Sequence, residues 1–105
     1  MNAGAGGCGG IGTGGAGVEW LGDVAYLGLP CSAHEIEHAI DGLGLAGLLA
    51  PFRGRPASDR GALVAAACRV GTLFLARPDL REIEINPLFV HAQGRGVTAV
   101  DVLTR

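Results

Sequence analysis

The sequence predicts an α+β domain, an antiparallel sheet of about four strands with two helices on one face. Three observations predict it. Strand-like runs lie toward the start, at Val18-Glu19-Trp20-Leu21 and Val24-Ala25-Tyr26-Leu27-Gly28-Leu29. A second hairpin pattern ends the chain, running out from Ile83 and returning to Asp101. Between them stand two segments whose apolar residues recur at helical spacing. Antiparallel hairpins with the helices segregated between them form a layer of helix on sheet.

The elements follow in order. Residues 1–17 are dominated by Gly and Ala without periodicity, and glycine loses the most backbone entropy on folding, so residues 1–11 read as a disordered lead-in. Gly22-Asp23 is a hairpin turn between the first two strands, and Pro30 ends the second. Ser32 followed by Glu35 is a capping-box pattern, with Ile36, Ile40 and Leu43 on one helical stripe; Gly42 and Gly44 stop that helix. Leu45 to Phe52 is a short apolar segment, and Arg53-Gly54-Arg55-Pro56 a rigid basic loop. Ser58 is placed to cap a second helix whose stripe is Leu63, Ala66, Ala67, Val70, Leu73 and Phe74, closed by Arg77-Pro78.

Bulk properties bound the function. The chain has 105 residues, about half of them hydrophobic, with 19 glycines and 5% aromatics, so its core is built from small side chains. Marginal stability in isolation is expected for a domain of this size. A net charge of −2 gives no nucleic-acid footprint. No apolar run approaches the roughly 20 residues that span a bilayer. Three widely spaced cysteines, Cys8, Cys31 and Cys68, with no CxxC pair, fit reduced thiols in the cytoplasm.

The chemistry concentrates in Ile83-Glu84-Ile85-Asn86-Pro87-Leu88 and Ala99-Val100-Asp101. Side chains alternate along a strand, so Ile83 and Ile85 share one face while Glu84 and Asn86 share the other. Gln93-Gly94-Arg95-Gly96 is the turn. A two-residue turn at Gln93-Gly94 pairs Ala92 with Arg95, Val90 with Val97, Leu88 with Ala99 and Asn86 with Asp101. A four-residue turn moves Asp101 opposite Leu88. Either loop gathers Glu84, Asn86 and Asp101 on one surface, and three such oxygen donors suit Mg²⁺, which takes one or two carboxylates and completes its shell with water and phosphate.

Three other patterns carry less. His34-Glu35-Ile36-Glu37-His38 matches HExxH, the helical zinc-peptidase pattern, but Asp41 and Gly44 stand where the extended form carries Gly and His, and Glu35 has a capping role. Gly7-Cys8-Gly9-Gly10-Ile11-Gly12 matches GxGxxG with only six residues before it, too few for the strand that a dinucleotide site requires. Gly12-Thr13-Gly14-Gly15 ahead of a strand would let backbone N–H groups approach phosphate oxygens; a flexible lead-in is the alternative.

Taken together, these motifs resemble a known family. The run from Gly12 through Gly14-Gly15, Val18-Glu19 and Asp23-Val24 to Tyr26 resembles a segment of the ATP-grasp domains of NDP-forming acyl-CoA synthetases. Phe52-Arg53-Gly54-Arg55-Pro56, Asp59, Glu84-Ile85-Asn86-Pro87-Leu88 and Ala99-Val100-Asp101 follow in the family's order, and succinyl-CoA synthetase β subunits share the Glu-Ile-Asn-Pro-Leu motif. The resemblance runs from about Gly12 to the end, giving a partial ATP-grasp domain at 12–105. It implies that Asn86 and Asp101 bind Mg²⁺ at the phosphates of ATP or ADP. It implies also that Glu84 acts beside them where a phosphohistidine docks, and that Gly14 and Gly15 lie by the nucleotide. The implied reaction makes acyl-CoA from acid, CoA and ATP. Leu27 replaces a usually basic residue, and Ala16-Gly17 replace bulkier ones. The first ATP-grasp subdomain, the CoA-binding domain and the phosphohistidine domain have no counterpart here, so they are expected on a partner or on a longer chain of which the glycine-rich head is an interior part. A non-catalytic regulatory module of a synthetase-like acetyltransferase fusion is the alternative, and an HExxH zinc peptidase a remote one.

Overall fold

The computed structural model describes residues 1–4, 8–12, 24–42, 47 and 49–105. Seven strands and two helices are named from it: β1 (Asn2–Gly4), β2 (Cys8–Gly12), β3 (Val24–Gly28), α1 (Ala33–Gly42), α2 (Arg60–Ala76), β4 (Ile83–Ile85), β5 (Leu88–Val90), β6 (Val97–Ala99) and β7 (Val102–Thr104). β3, β2, β1, β4 and β7 lie side by side in a five-stranded antiparallel sheet, and β5 pairs with β6 in a small second sheet.

The expected α+β layer is present, with a correction at its centre. The glycine-rich head, expected to be a disordered lead-in, contributes β1 and β2, and β1 is the middle strand between β2 and β4. Periodicity of apolar side chains misses such strands because their order comes from backbone bonds to neighbours. β1 exchanges ladder bonds with β2 on one side and β4 on the other, and its Ala3 is buried along with Ile11 of β2. The expected strand at 18–21 and its turn at Gly22-Asp23 lie outside the described residues.

Helix α1 starts as its sequence dictates. Ser32 Oγ accepts from the Glu35 backbone N–H at 3.1 Å, and Glu35 Oε1 accepts from the Ser32 N–H at 3.1 Å, which is the reciprocal capping box. Ile36 and Ile40, one turn apart, are essentially fully buried. Helix α2 departs from expectation in two respects. Its cap is Asp59 rather than Ser58, with Asp59 Oδ1 accepting from Ala62 N–H at 3.1 Å. Its buried stripe is Leu63, Val64, Ala67 and Gly71, while Leu73 is 51% exposed. The stripe is rotated because α2 approaches the β3–α1 connection at Gly71, where an added Cβ would lie 3.0 Å from Leu29 Cδ2.

Ile11, Ile36, Ile40, Leu49, Leu63, Val64 and Ala67 form the core between helices and sheet, and Leu88, Val90 and Val97 of the small sheet pack against it. An ionic staple joins the helices. Arg60 donates through Nε to both Glu37 carboxylate oxygens, at 3.2 and 3.1 Å, and through Nη2 to the Glu37 carbonyl at 3.0 Å and Asp41 Oδ1 at 2.8 Å.

Candidate functional site

Of the two registers that the sequence leaves open, the terminal hairpin adopts that of the two-residue turn. Leu88 pairs with Ala99 and Val90 with Val97, while Arg95 N–H donates to the Ala92 carbonyl at 2.9 Å. Further down the same ladder Ile85 pairs with Val102, Glu84 with Leu103 and Ile83 with Thr104. Asn86 and Asp101 therefore occupy facing positions, joined by a bond from Asn86 N–H to the Asp101 carbonyl at 3.1 Å.

These two residues sit at the seam between the sheets. Pro87 has no N–H, so the ladder loses a donor there, and only its carbonyl takes part, accepting from Val100 N–H at 3.1 Å. The hairpin also turns over at this seam. Below it Ile83 and Ile85 are buried and the intervening Glu84 is half-buried on the opposite face; above it the even-numbered Leu88 and Val90 are the residues packed on the core. Asn86 and Asp101 are left exposed at the crossing point.

Glu84 is two ladder positions from them, beyond the Ile85–Val102 pair, opposite Leu103 on β7 and Asn2 on β1. The structure thus places Asn86 and Asp101 at facing positions and Glu84 two positions along the same ladder. None of the hydrogen bonds or ion pairs among the described residues engages the Asn86 amide or the Asp101 carboxylate. Two such side-chain oxygen groups at facing positions, with the Glu84 carboxylate two ladder positions away, are the kind of donors that fit a hard cation such as Mg²⁺. Gly14 and Gly15 lie outside the described residues.

Two further sequence patterns have definite places. Glu35 of HExxH is engaged by Ser32, while His34 and His38 are exposed on α1; among the described residues no group of three His, Cys, Asp or Glu side chains is arranged to hold a metal. Arg53 and Gly54 turn the chain tightly between Phe52 and Arg55, which exchange both backbone bonds at 3.1 and 2.9 Å. The Arg53 guanidinium lies over the exposed Phe52 ring, 5.1 Å from its centroid.

Asp59 has a second role that sequence reading missed. Besides capping α2, its Oδ2 accepts from Gly96 N–H at 2.8 Å and Gly94 N–H at 3.1 Å, across to the hairpin turn. These bonds, with the Gly96 bond first, hold the Asp59 carboxyl below the usual carboxylate range. Ser and Asp cap helices equally well, so Ser58-Asp59 leaves the cap ambiguous by one residue, and no local pattern reports a partner 35 residues away.

Comparison with known proteins decides the family. The ATP-grasp domain family matches residues 5–105. The chain belongs to the ATP-grasp family. This ATP-grasp region is 35% identical over 92 residues to a trans-feruloyl-CoA synthase from an unknown prokaryotic organism, an alignment covering 88% of the chain and 13% of that protein. It is 32% identical over 92 residues to the β subunit of ADP-forming acetate–CoA ligase II from Pyrococcus furiosus, covering 87% of the chain and 39% of the subunit. Among solved structures it superposes with a TM-score of 0.83 and 28% identity on the dinucleotide forming acetyl-coenzyme A synthetase 1 of Ca. Korarchaeum cryptofilum, solved with coenzyme A and Mg-AMPPCP. That match covers 92% of this chain and 45% of the other. PH1788 from Pyrococcus horikoshii gives a TM-score of 0.81 at 27% identity, over 93% and 42% of the two chains. The ATP-grasp region described here thus spans less than half of each of these relatives.

Proposed function

We propose that this chain contributes the Mg-nucleotide half-site of an ADP-forming acyl-CoA synthetase, in which acid, CoA and ATP give acyl-CoA, ADP and phosphate through a phosphohistidine carried elsewhere. The observation that supports it most is the facing pair Asn86–Asp101, with Glu84 two ladder positions away, on a fold shared with a synthetase solved with Mg-AMPPCP.

In this reading the Asn86 and Asp101 side-chain oxygens hold Mg²⁺, and Glu84 acts at the place where the phosphoryl group is transferred. Bound Mg²⁺ supplies charge neutralisation at the phosphate oxygens. The chain's own contribution is positioning. The backbone bond between Asn86 and Asp101 fixes the separation of two ligands on the two arms of one hairpin. Gly14-Gly15 is assigned to the phosphates through its backbone N–H groups. The remaining ATP-grasp subdomain and the CoA-binding domain belong to a partner or a longer chain, and the isolated region is not active alone. A cytoplasmic setting fits the free thiols of Cys31 and Cys68; no helix among the described residues is long and apolar enough to cross a membrane.

The test is Asn86→Ala in an assembly reconstituted with the missing domains. Mg-ATP-dependent acyl-CoA formation should fall roughly tenfold or more. Backbone amides at Asn86 and Asp101 of the wild-type chain should shift in NMR spectra on addition of Mg-ADP. Unchanged turnover removes the metal assignment; retained Mg-ADP shifts without turnover in the wild-type assembly favour a regulatory module.

A further inference from the structure

We propose that Asp59 is a positioning residue that selects the hairpin register in which Asn86 faces Asp101. Its functional meaning rests on the metal reading of that pair, but the register itself is measured independently.

The turn is not self-sufficient. Hairpins with two-residue loops favour turns whose twist matches the strands, with φ positive at the first or at both central positions. Here the first central residue, Gln93, is not among the positive-φ residues, whereas the second, Gly94, has φ +85°, the signature of a type II turn that splays the arms. Gly96 just beyond has φ +80°. Next to the turn the arms are joined by the bond from His91 N–H to the Gly96 carbonyl at 3.0 Å and by the three pairs of β5 and β6.

An alternative register is available to the same residues. Making Gln93-Gly94-Arg95-Gly96 a four-residue loop keeps every side chain on its face but advances the returning arm by two, setting Asp101 opposite Leu88. Side-chain patterning does not discriminate between the two, because both loops are even.

The structure supplies the discrimination from outside the hairpin. The outgoing arm is tied to the segment before α2 by backbone bonds: Asp59 N–H to the His91 carbonyl at 2.7 Å and Gln93 N–H to the Ala57 carbonyl at 2.8 Å. The returning arm at 94–96 is tied to that segment by the Asp59 carboxylate, whose Oδ2 gathers the Gly94 and Gly96 N–H groups. This side chain therefore acts with the direct bond from His91 N–H to the Gly96 carbonyl at 3.0 Å in setting how far the returning arm travels before it pairs. Register carries unbroken from Val90–Val97 through Asn86–Asp101 to Ile83–Thr104, so a choice made at the turn is delivered at the site.

Asp59→Asn separates this role from helix capping. Asparagine caps as well as aspartate, so α2 keeps its start through the amide oxygen that takes the Oδ1 place. The NH₂ group then faces the two glycine N–H donors and cannot accept from them. Hydrogen exchange followed by NMR on the full chain is the measurement. Exchange at Gly94 and Gly96 should rise about tenfold to a hundredfold, and exchange at Asn86 and Val100 should rise with it, while Ile40 and Leu63 in the core keep their protection. A uniform rise at all amides, unchanged Gly94 and Gly96, or an Asn86 amide as protected as in wild type each overturns the proposal. An absent Mg-ADP shift in the wild-type chain is a separate result that counts against the metal reading and leaves the register result standing.

Discussion

Arg60 offers the sharpest test of the packing. It is the first residue of α2, where a positive charge opposes the helix macrodipole at a cost of about 0.3–1 kcal/mol. Its place makes sense only through its partners on α1, the Glu37 carboxylate and carbonyl and the Asp41 carboxylate. The Arg60 side chain is 28% exposed, Glu37 43% and Asp41 62%, so each ion pair is screened and contributes about 0.2–1 kcal/mol. The bond to the Glu37 carbonyl adds about 1 kcal/mol. Setting these against the relieved dipole penalty, Arg60→Ala should destabilise the chain by about 1 kcal/mol, a drop of roughly 4–8 °C in Tm. The assay is thermal melting by circular dichroism at low and high salt, with a double-mutant cycle against Glu37→Ala. A coupling of about 0.5–1 kcal/mol that shrinks in salt is expected. Zero coupling, or a coupling indifferent to salt, refutes the staple.

Three further outcomes follow from other parts of the molecule. Ile40→Ala removes a side chain with no exposed surface and should cost about 2–5 kcal/mol in chemical denaturation, against about 0.5–1.5 for Ile40→Val. Asp59 has a folded-state carboxyl held below its ordinary value, so its contribution is complete above the unfolded-state pKa and is lost as pH falls through the lower folded one; denaturant midpoints should decline below about pH 4, with a smaller decline in Asp59→Asn. In the reconstituted assembly, Asp101→Asn should raise the Mg²⁺ concentration needed for half-maximal turnover, whereas Glu84→Gln should lower maximal turnover with little change in that concentration, both read from Mg²⁺ titrations of initial rate.

What the sequence made legible was what local chemistry controls. The Ser32–Glu35 box and the Ile36–Ile40 stripe depend on residues within one turn, and the structure carries them. The β1 and β2 strands were illegible because a glycine-rich strand is specified by its neighbours, and the neighbour of Ala3 is Ile83. The α2 stripe was displaced for a related reason: Leu73 has the right spacing for burial, but the surface that α2 meets is set by Leu29, on another element. At the site, the facing of Asn86 and Asp101 could be read as one of two registers, and the bonds from Gly94 and Gly96 that separate them come from Asp59, far from the hairpin in sequence.

The middle position of β1 has a consequence for how the chain reaches this state. Asn2 pairs with Glu84, so the centre of the sheet joins segments from opposite ends of the sequence. Loop closure over such a span must precede its reward, and folds dominated by distant pairings are correspondingly slow. During synthesis β1 and β2 can meet early, but the edge of β1 that receives β4 stays open until the last hairpin has emerged. An unpaired edge is a template for other chains. By supplying β4, the hairpin that carries Asn86 and Asp101 is therefore also what covers that edge of β1.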